Sequence, residues 1–254
     1  MKQRALLIGI NYVNSPNARL RGCANDVVQV RDFLTTRAGF RADDIAVYTD
    51  EDPATRQHTT GMGIVRALHQ LVKESHEKNL DTVWIHYSGH GTGVRDLDGD
   101  EADGRDEAIV PSDFNLAGVI TDDHIHQIVR RFNRNTKVIC VFDCCHSGSM
   151  LDLQFKYMNG DFKKDTSKAM DNRVLMISGC MDSQTSADAY NVMNRHRFSG
   201  ALTSCMLLAY ESRHANNVVD LVDRIRDTLR VKGFPQVPQL TCSYNIKGDK
   251  RLFV

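Results

Sequence analysis

The sequence has no excess of charge of either sign. Its 32 lysine and arginine residues balance 32 aspartate and glutamate residues, and the isoelectric point is about 7.1. Binding to nucleic acid or to an acidic lipid surface usually leaves a basic excess in the sequence, and none is present here. We therefore expect no nucleic-acid partner.

The chain also has no long apolar run and no C-x-x-C pair. The apolar stretch within MKQRALLIGINY is too short for a signal-peptide core or a membrane span. The seven cysteines form an odd set with no C-x-x-C pair, which argues against a disulfide framework and against a four-thiolate zinc site. These absences predict a soluble cytoplasmic protein that does not contact a membrane.

What the sequence does contain is an alternation of apolar strands and helices. The predicted strands are RALLIGI, DIAVYTD, DTVWIHYS, TKVICVFD and RVLMISGC. Amphipathic helical segments separate most of them, so we expect an α/β protein with a mostly parallel sheet covered by helices on both faces. Residues 152–172 are polar and lack a clear period, which we interpret as a mobile linker.

Two of these strands end in side chains that can carry out chemistry. His90 follows one strand in HYSGHG, and Cys144 and Cys145 follow another in VFDCCHSG. If the two strands are neighbours, an imidazole and a thiol face each other at the sheet edge where α/β sites form, as nucleophilic catalysis by a thiol requires. Taken singly, a histidine after a strand is usually a turn or core residue, and a lone buried cysteine is usually a small hydrophobe.

The spacing and the motifs together resemble one family. His90 lies 55 positions before Cys145, and a separation of about 50 is a caspase signature. HYSGHG and FDCCHSGS resemble the two catalytic motifs of the metacaspases, which are caspase-like cysteine peptidases. The stretches similar to the same family are LIGINY, LRGCANDV, IVPSDF, ITDDHIH, MISGCMDSQTSADA, GALT and PQLTCS.

This resemblance implies a fold and a domain organisation. We expect a caspase-like three-layer sandwich in which residues 1–254 form one peptidase domain. It would comprise a large-subunit region of about 1–151, a linker of about 152–172 and a small-subunit region of about 173–254. The family also implies a monomer. We expect a compact type I-like form without an N-terminal prodomain, or a form from which that leader has been removed.

The resemblance also assigns catalytic roles. Metacaspases carry the nucleophile immediately before HSG, which selects Cys145, with His90 as its partner. The backbone N–H groups of Gly91 and Cys145 are the implied donors to the oxyanion, and Cys144 becomes a structural neighbour. The implied activity is that of a cysteine endopeptidase acting on protein or peptide substrates.

Two aspartates are candidates for a specificity pocket, because a buried basic side chain needs a carboxylate partner. Asp143 could instead cap its strand, and Asp26 could face the N–H groups at its own helix start. The resemblance favours a pocket formed by Asp26 and Asp143 with Cys23 and Ser88 as walls, and cleavage after Arg or Lys. A caspase that selects aspartate would present arginines instead.

A second set of carboxylates suggests calcium. Asp106, Asp122, Asp123 and Asp152 match the calcium-binding positions of calcium-dependent metacaspases. Four converging carboxylates repel one another unless a hard divalent cation neutralises them, so we expect Ca²⁺ to activate the enzyme. Asp122 and Asp123 could also be ordinary helix-start residues. An EF-hand over residues 96–107 is disfavoured, because Glu101 stands where that loop needs glycine.

Two further hypotheses remain. Self-cleavage in the linker is possible for an enzyme that cuts after basic residues, and the candidate sites are Lys156, Lys163, Lys164 and Lys168, with Arg173 just beyond. The competing function is an inactive caspase-like scaffold or a calcium-responsive binding module. The presence of both His90 and Cys145 argues against that alternative.

Overall fold

The computed structural model describes residues 1–95, 105–144, 150–164, 169–179, 188–190, 198–211, 217–246 and 251–252. Helices and strands alternate through most of these segments. The helices are α1 (Cys23–Arg37), α2 (Gly61–Glu77), α3 (Phe114–Ala117), α4 (Asp122–Val129), α5 (Ala201–Glu211) and α6 (Val218–Val231). Short 3-10 turns cover Pro16–Ala18, Ala42–Asp44 and Arg56–Thr59.

The described residues form thirteen strands, and five of these lie at the predicted apolar runs. The first seven are β1 (Gln3–Gly9), β2 (Ile45–Thr49), β3 (Thr82–Ser88), β4 (Gly91–Arg95), β5 (Arg105–Ile109), β6 (Ile120–Thr121) and β7 (Lys137–Asp143). The remaining six are β8 (Phe155–Met158), β9 (Asp161–Lys164), β10 (Arg173–Ser178), β11 (Asp188–Tyr190), β12 (Phe198–Gly200) and β13 (Gln239–Cys242).

Eight of the described strands form one central sheet in the order β2-β1-β3-β7-β10-β13-β8-β9. The first five run parallel to one another, and β13, β8 and β9 add antiparallel strands on one side. Every residue of β3 and of β7 is buried. Such continuous burial is expected for parallel strands covered on both faces, and it explains their unbroken apolar sequences.

Helices cover both faces of the sheet, as predicted. Leu7 on β1 packs into a core shared with α1, α5 and α6. Its neighbour Leu6 points to the opposite face, into a core shared with α2 and α4. Successive side chains of a strand alternate between faces, so one apolar strand serves two cores. The result is the three-layer α/β sandwich expected from the sequence.

The register of the parallel strands brings their polar ends together. Gly9 at the end of β1 pairs with Ser88 at the end of β3, and Ser88 pairs with Asp143 at the end of β7. The two strands that precede the catalytic motifs are therefore direct neighbours. At this edge a smaller antiparallel sheet, β4-β5-β6, begins with Gly91 immediately after His90.

The interpretation of residues 152–172 as an irregular linker is wrong for much of the segment. Strands β8 and β9 form an antiparallel hairpin that extends the central sheet. Asn159 and Gly160, with φ values of 50° and 85°, supply the left-handed turn that this dipeptide favours. The Tyr157 hydroxyl donates to Asp223 Oδ2 on α6 at 2.8 Å, which anchors the hairpin to the domain.

Candidate active site

Two tyrosine hydroxyls hold the backbone of His90. The His90 N–H donates to Tyr12 Oη at 2.8 Å, and Tyr87 Oη donates to the His90 carbonyl at 2.8 Å. Tyr12 Oη in turn donates to the Val110 carbonyl at 2.7 Å. Both tyrosines are buried, and burial raises the pKa of each phenol above its ordinary value. The hydroxyls therefore stay protonated and fix the turn that carries the imidazole.

Glycine is required next to His90 because this turn lies directly over the tyrosines. A Cβ at Gly89 would lie 2.6 Å from Tyr87 Oη and 3.0 Å from Tyr12 Oη. Side chains are not accommodated at such distances. The first glycine of SGHG therefore serves the close approach of the backbone to the two hydroxyls.

The contacts of the His90 ring assign its two nitrogens. His90 Nε2 lies 2.7 Å from the carbonyl oxygen of Ala18, which can only accept a hydrogen bond. Nε2 therefore carries the proton in the neutral ring, and Nδ1 presents the lone pair. The ring also packs against Tyr12, with 4.7 Å between centroids. These contacts fix the orientation of a residue that could exchange a proton with a thiol.

The predicted nucleophile follows the neighbouring strand. Cys145 lies outside the described residues, whereas Cys144 is described and has no exposed surface. Substrate cannot reach a thiol that is buried to this extent. This geometry is consistent with the structural role predicted for Cys144.

The predicted specificity residues meet at the N-terminus of α5. The N–H of Gly200 donates to both oxygens of Asp26, at 2.8 and 3.0 Å, and the Ser88 hydroxyl donates to Asp26 Oδ2 at 2.5 Å. The N–H of Thr203 donates to Asp143 Oδ2 at 2.8 Å. Both carboxylates thus bind N–H groups at the positive end of a helix from the small-subunit region.

The two aspartates are strongly buried. Asp26 has no exposed surface, and Asp143 retains 3%. Gly200 lies against both, because a Cβ there would overlap Asp143 Oδ2 and would lie 2.9 Å from Asp26 Oδ2. Cys23, one helical turn before Asp26, is also buried. The structure therefore brings Asp26, Ser88 and Asp143 together, with Cys23 nearby on α1.

The four predicted calcium ligands also lie near one another. Asp122 is 2% exposed, and its pKa is raised to about 8, first by burial and then by the negative charge of Asp152, Asp123 and Asp106. Within the described part of the chain, no three acidic, histidine or cysteine side chains are already arranged to hold a metal ion. The donors are all carboxylates and suit a hard cation, but binding would require them to move closer together.

Comparison with known proteins identifies the family. The model of the metacaspase peptidase C14 domain matches residues 3–154, which is more than half of the chain. This chain belongs to the metacaspase family. The metacaspase is accordingly a cysteine peptidase, a hydrolase whose substrates are proteins or peptides.

Curated relatives extend the similarity over nearly all of the metacaspase. Metacaspase-1 of Botryotinia fuckeliana is 35% identical, with 98% of this chain and 69% of the relative covered. Metacaspase-1A of Aspergillus niger is 36% identical, with 96% and 70% covered. Protein GSU0716 of Geobacter sulfurreducens, a solved structure, has a TM-score of 0.68 at 23% identity over 96% of this chain and 94% of its own. That structure shares the fold.

Several residues of the metacaspase site had no role in the sequence-based prediction. Tyr12 and Tyr87 occur within LIGINY and HYSGHG, and Gly200 and Thr203 occur within GALT. The motifs marked these stretches as similar to the family, but single positions in them could not be assigned contacts.

Among the described residues, no helix combines the length and the apolar composition needed to cross a bilayer.

Proposed function

We propose that this metacaspase is a calcium-activated endopeptidase that cleaves after Arg or Lys through Cys145 and His90. The observation that carries the proposal is the pair of buried carboxylates, Asp26 and Asp143, at the same sheet edge as His90. A pocket that presented two carboxylates to an acidic substrate side chain would repel it. A guanidinium or ammonium group would balance their negative charge.

The chemistry follows from the contacts of His90. The Cys145 thiolate attacks the scissile carbonyl, and the backbone N–H groups of Gly91 and Cys145 stabilise the oxyanion. With Nε2 donating to Ala18, Nδ1 is the nitrogen that exchanges protons with thiol and leaving amine. Water then hydrolyses the thioester, which releases the acid product and regenerates Cys145.

Calcium is proposed to bind at Asp106, Asp122, Asp123 and Asp152. When bound, it supplies positive charge that offsets the mutual repulsion of these carboxylates. The acidic cluster is connected to both catalytic motifs, by strand pairing on one side and along the chain on the other. Asp106 pairs with Val94 in the β4–β5 ribbon, which starts just after His90, and Asp152 lies seven positions after Cys145. Bringing the carboxylates together would therefore reposition the segments that flank both catalytic residues.

Matched fluorogenic peptides test the P1 preference. The peptides differ only at P1, which is Arg, Lys, citrulline or Asp, and each is assayed with calcium and with a chelator. We expect hydrolysis of the Arg and Lys peptides only in calcium and none by Cys145→Ala. Citrulline has the shape of arginine without its charge, so equal rates on both peptides would contradict the charge-based pocket. A wild-type protein without activity on any peptide would favour the inactive scaffold.

Self-cleavage after a basic residue is a further part of the proposal. Lys156, Lys163 and Lys164 lie in paired strands of the β8–β9 hairpin, and a peptidase needs its substrate extended and unpaired. We therefore expect self-cleavage to occur outside the hairpin, and Lys168, the remaining lysine candidate in the linker, lies outside the described residues. Mass spectrometry of wild type and Cys145→Ala after calcium addition tests this, and cleavage inside the intact hairpin would contradict it.

The proposed enzyme is a cytoplasmic monomer. The outer strand β9 carries Lys163 and Lys164, and lysines on an edge strand discourage pairing with a second chain. Light scattering coupled to size exclusion, with and without calcium, tests the monomer. A dimer that persists on dilution would contradict it, and cell fractionation tests the location.

A further inference from the structure

The side chain of Thr203 connects a buried histidine to one of the two pocket carboxylates. Thr203 Oγ1 lies 2.8 Å from Asp143 Oδ2, and the Thr203 N–H donates to the same oxygen at 2.8 Å. On its other side, Thr203 Oγ1 lies 3.3 Å from His86 Nε2. All three side chains are buried.

The direction of the hydrogen bonds follows from proton counting. An ionised Asp143 only accepts, so the single hydroxyl proton of Thr203 is donated to it. The hydroxyl oxygen then accepts from His86 Nε2, which must carry the ring proton. Burial lowers the pKa of His86 to about 3, so the ring is neutral and holds this one proton. Its other nitrogen, Nδ1, is buried and has no hydrogen-bond partner among the described residues.

This chain of bonds fixes one side of the carboxylate. Both donors of Thr203 reach Oδ2, whereas Oδ1 lies beside Gly179, 3.5 Å from where a Cβ would stand. Two bonds to one oxygen prevent the Asp143 side chain from rotating about its last bond. Because the His86 N–H donates to the Thr203 hydroxyl oxygen, the hydroxyl proton points away from His86 and toward Asp143.

We propose that Thr203, oriented by His86, is a specificity-determining residue that holds the Asp143 carboxylate in position for a positively charged P1 side chain. Neither residue contacts the substrate in this arrangement, so both are positioning residues. The inference rests on the proposed cleavage after Arg or Lys. It adds a pair of residues that act only through the charge of Asp143.

The test compares Thr203→Val, which removes the hydroxyl at nearly constant shape, with Thr203→Ser, which retains it. Each variant is assayed on the matched P1 Arg and P1 citrulline peptides. Loss of a hydrogen bond to a charged group predicts a drop of about tenfold or more in kcat/KM for the Arg peptide, mainly through KM. The citrulline rate should change less than about threefold, and Thr203→Ser should restore the selectivity.

Controls separate this inference from the proposed function and from a folding defect. Thr228→Val removes a hydroxyl that bonds to the Arg224 carbonyl in α6 and should leave both rates unchanged. If Thr203→Val does not fold, His86→Leu serves instead and should show the same selective loss. Equal losses on both peptides, or unchanged selectivity, would overturn the inference. A wild type that does not prefer Arg to citrulline would instead overturn the proposed function, and this inference with it.

Discussion

Tyr12 contacts His90, on the predicted catalytic turn, at both its backbone and its ring. The His90 N–H donates to Tyr12 Oη at 2.8 Å, and the two ring centroids are 4.7 Å apart. Tyr12 has a φ of 55°, a left-handed conformation uncommon for a large side chain. The backbone at Tyr12 thus adopts a strained conformation that places its hydroxyl under the histidine.

Removing the Tyr12 hydroxyl should slow catalysis more than it weakens substrate binding. In Tyr12→Phe, the buried N–H of His90 loses its acceptor, so the imidazole shifts relative to the thiol. We expect kcat to fall about 10- to 100-fold with KM within about twofold. The free energy of unfolding should fall by about 1–3 kcal/mol.

The control for this variant is Tyr48→Phe. The Tyr48 ring stacks on His58, with 4.5 Å between centroids, and its hydroxyl makes no hydrogen bond among the described residues. Steady-state kinetics and the pH dependence of Cys145 alkylation should be unchanged in the control. An unchanged kcat in Tyr12→Phe would contradict the positioning role.

A methyl group at position 200 should disable the basic pocket. The Cβ of Gly200→Ala would overlap Asp143 Oδ2 and press on Asp26, so one carboxylate must move. Overpacking of this kind costs about 1–3 kcal/mol. If that cost falls on the pocket that binds P1, kcat/KM for an Arg peptide should drop about 5- to 150-fold. Gly61→Ala is the control, because its Cβ would meet nothing closer than 3.6 Å. Full activity of Gly200→Ala would mean that the carboxylates do not select P1.

Buried His86 should make the protein sensitive to acid. Its pKa is about 3 in the folded protein and near 6.5 when unfolded, so between these values only the unfolded chain binds the proton. Above pH 6.5 His86 is neutral in both states and does not make the free energy of unfolding depend on pH. As the pH falls from 6.5 toward 3, protonation of the unfolded chain lowers the free energy of unfolding by about 1.4 kcal/mol per pH unit. Denaturant titrations from pH 7 to 4.5 should show a shallower loss in His86→Gln. His69→Gln, at an exposed position, should lose unfolding free energy with falling pH as steeply as wild type. Equal slopes for His86→Gln and His69→Gln would contradict the claim that His86 causes the acid sensitivity.

Calcium binding should depend on Asp122, the most buried carboxylate of the acidic cluster. In the Cys145→Ala background, calorimetry should detect Ca²⁺ binding that weakens at least about tenfold on Asp122→Asn, because a charged ligand is lost. Asp43→Asn is the matched control, since that carboxylate is 89% exposed and lies on a distant 3-10 turn. Equal affinity in both variants would place the calcium site elsewhere.

Much of the fold could be predicted because the strands of a parallel sheet are apolar along their whole length. The runs that became β1, β3 and β7 needed no information beyond their own sequence. The β8–β9 hairpin was missed, although Asn159-Gly160 is a strong hairpin signal. Its strands carry charged side chains, and apolar and polar residues alternate only weakly in them. The polar composition of the segment therefore favoured a linker over a hairpin.

The candidate site was only partly accessible from sequence. Ser88 and Asp143 end adjacent strands, so the proximity of the two catalytic motifs that follow them could be inferred from topology. The contacts of Gly200 with Asp26 and of Thr203 with Asp143 join residues 174 and 60 positions apart. These contacts depend on how α5 packs against the rest of the domain. No local sequence pattern predicts that packing.

The most direct test of the central claim is covalent labelling of the calcium-loaded enzyme by a peptide acyloxymethyl ketone with Arg at P1. Peptide mapping by mass spectrometry then locates the adduct. The account predicts one adduct on Cys145, none on the buried Cys144, and little labelling by the matched reagent with Asp at P1. An adduct on another cysteine, or faster labelling by the Asp reagent, would contradict it.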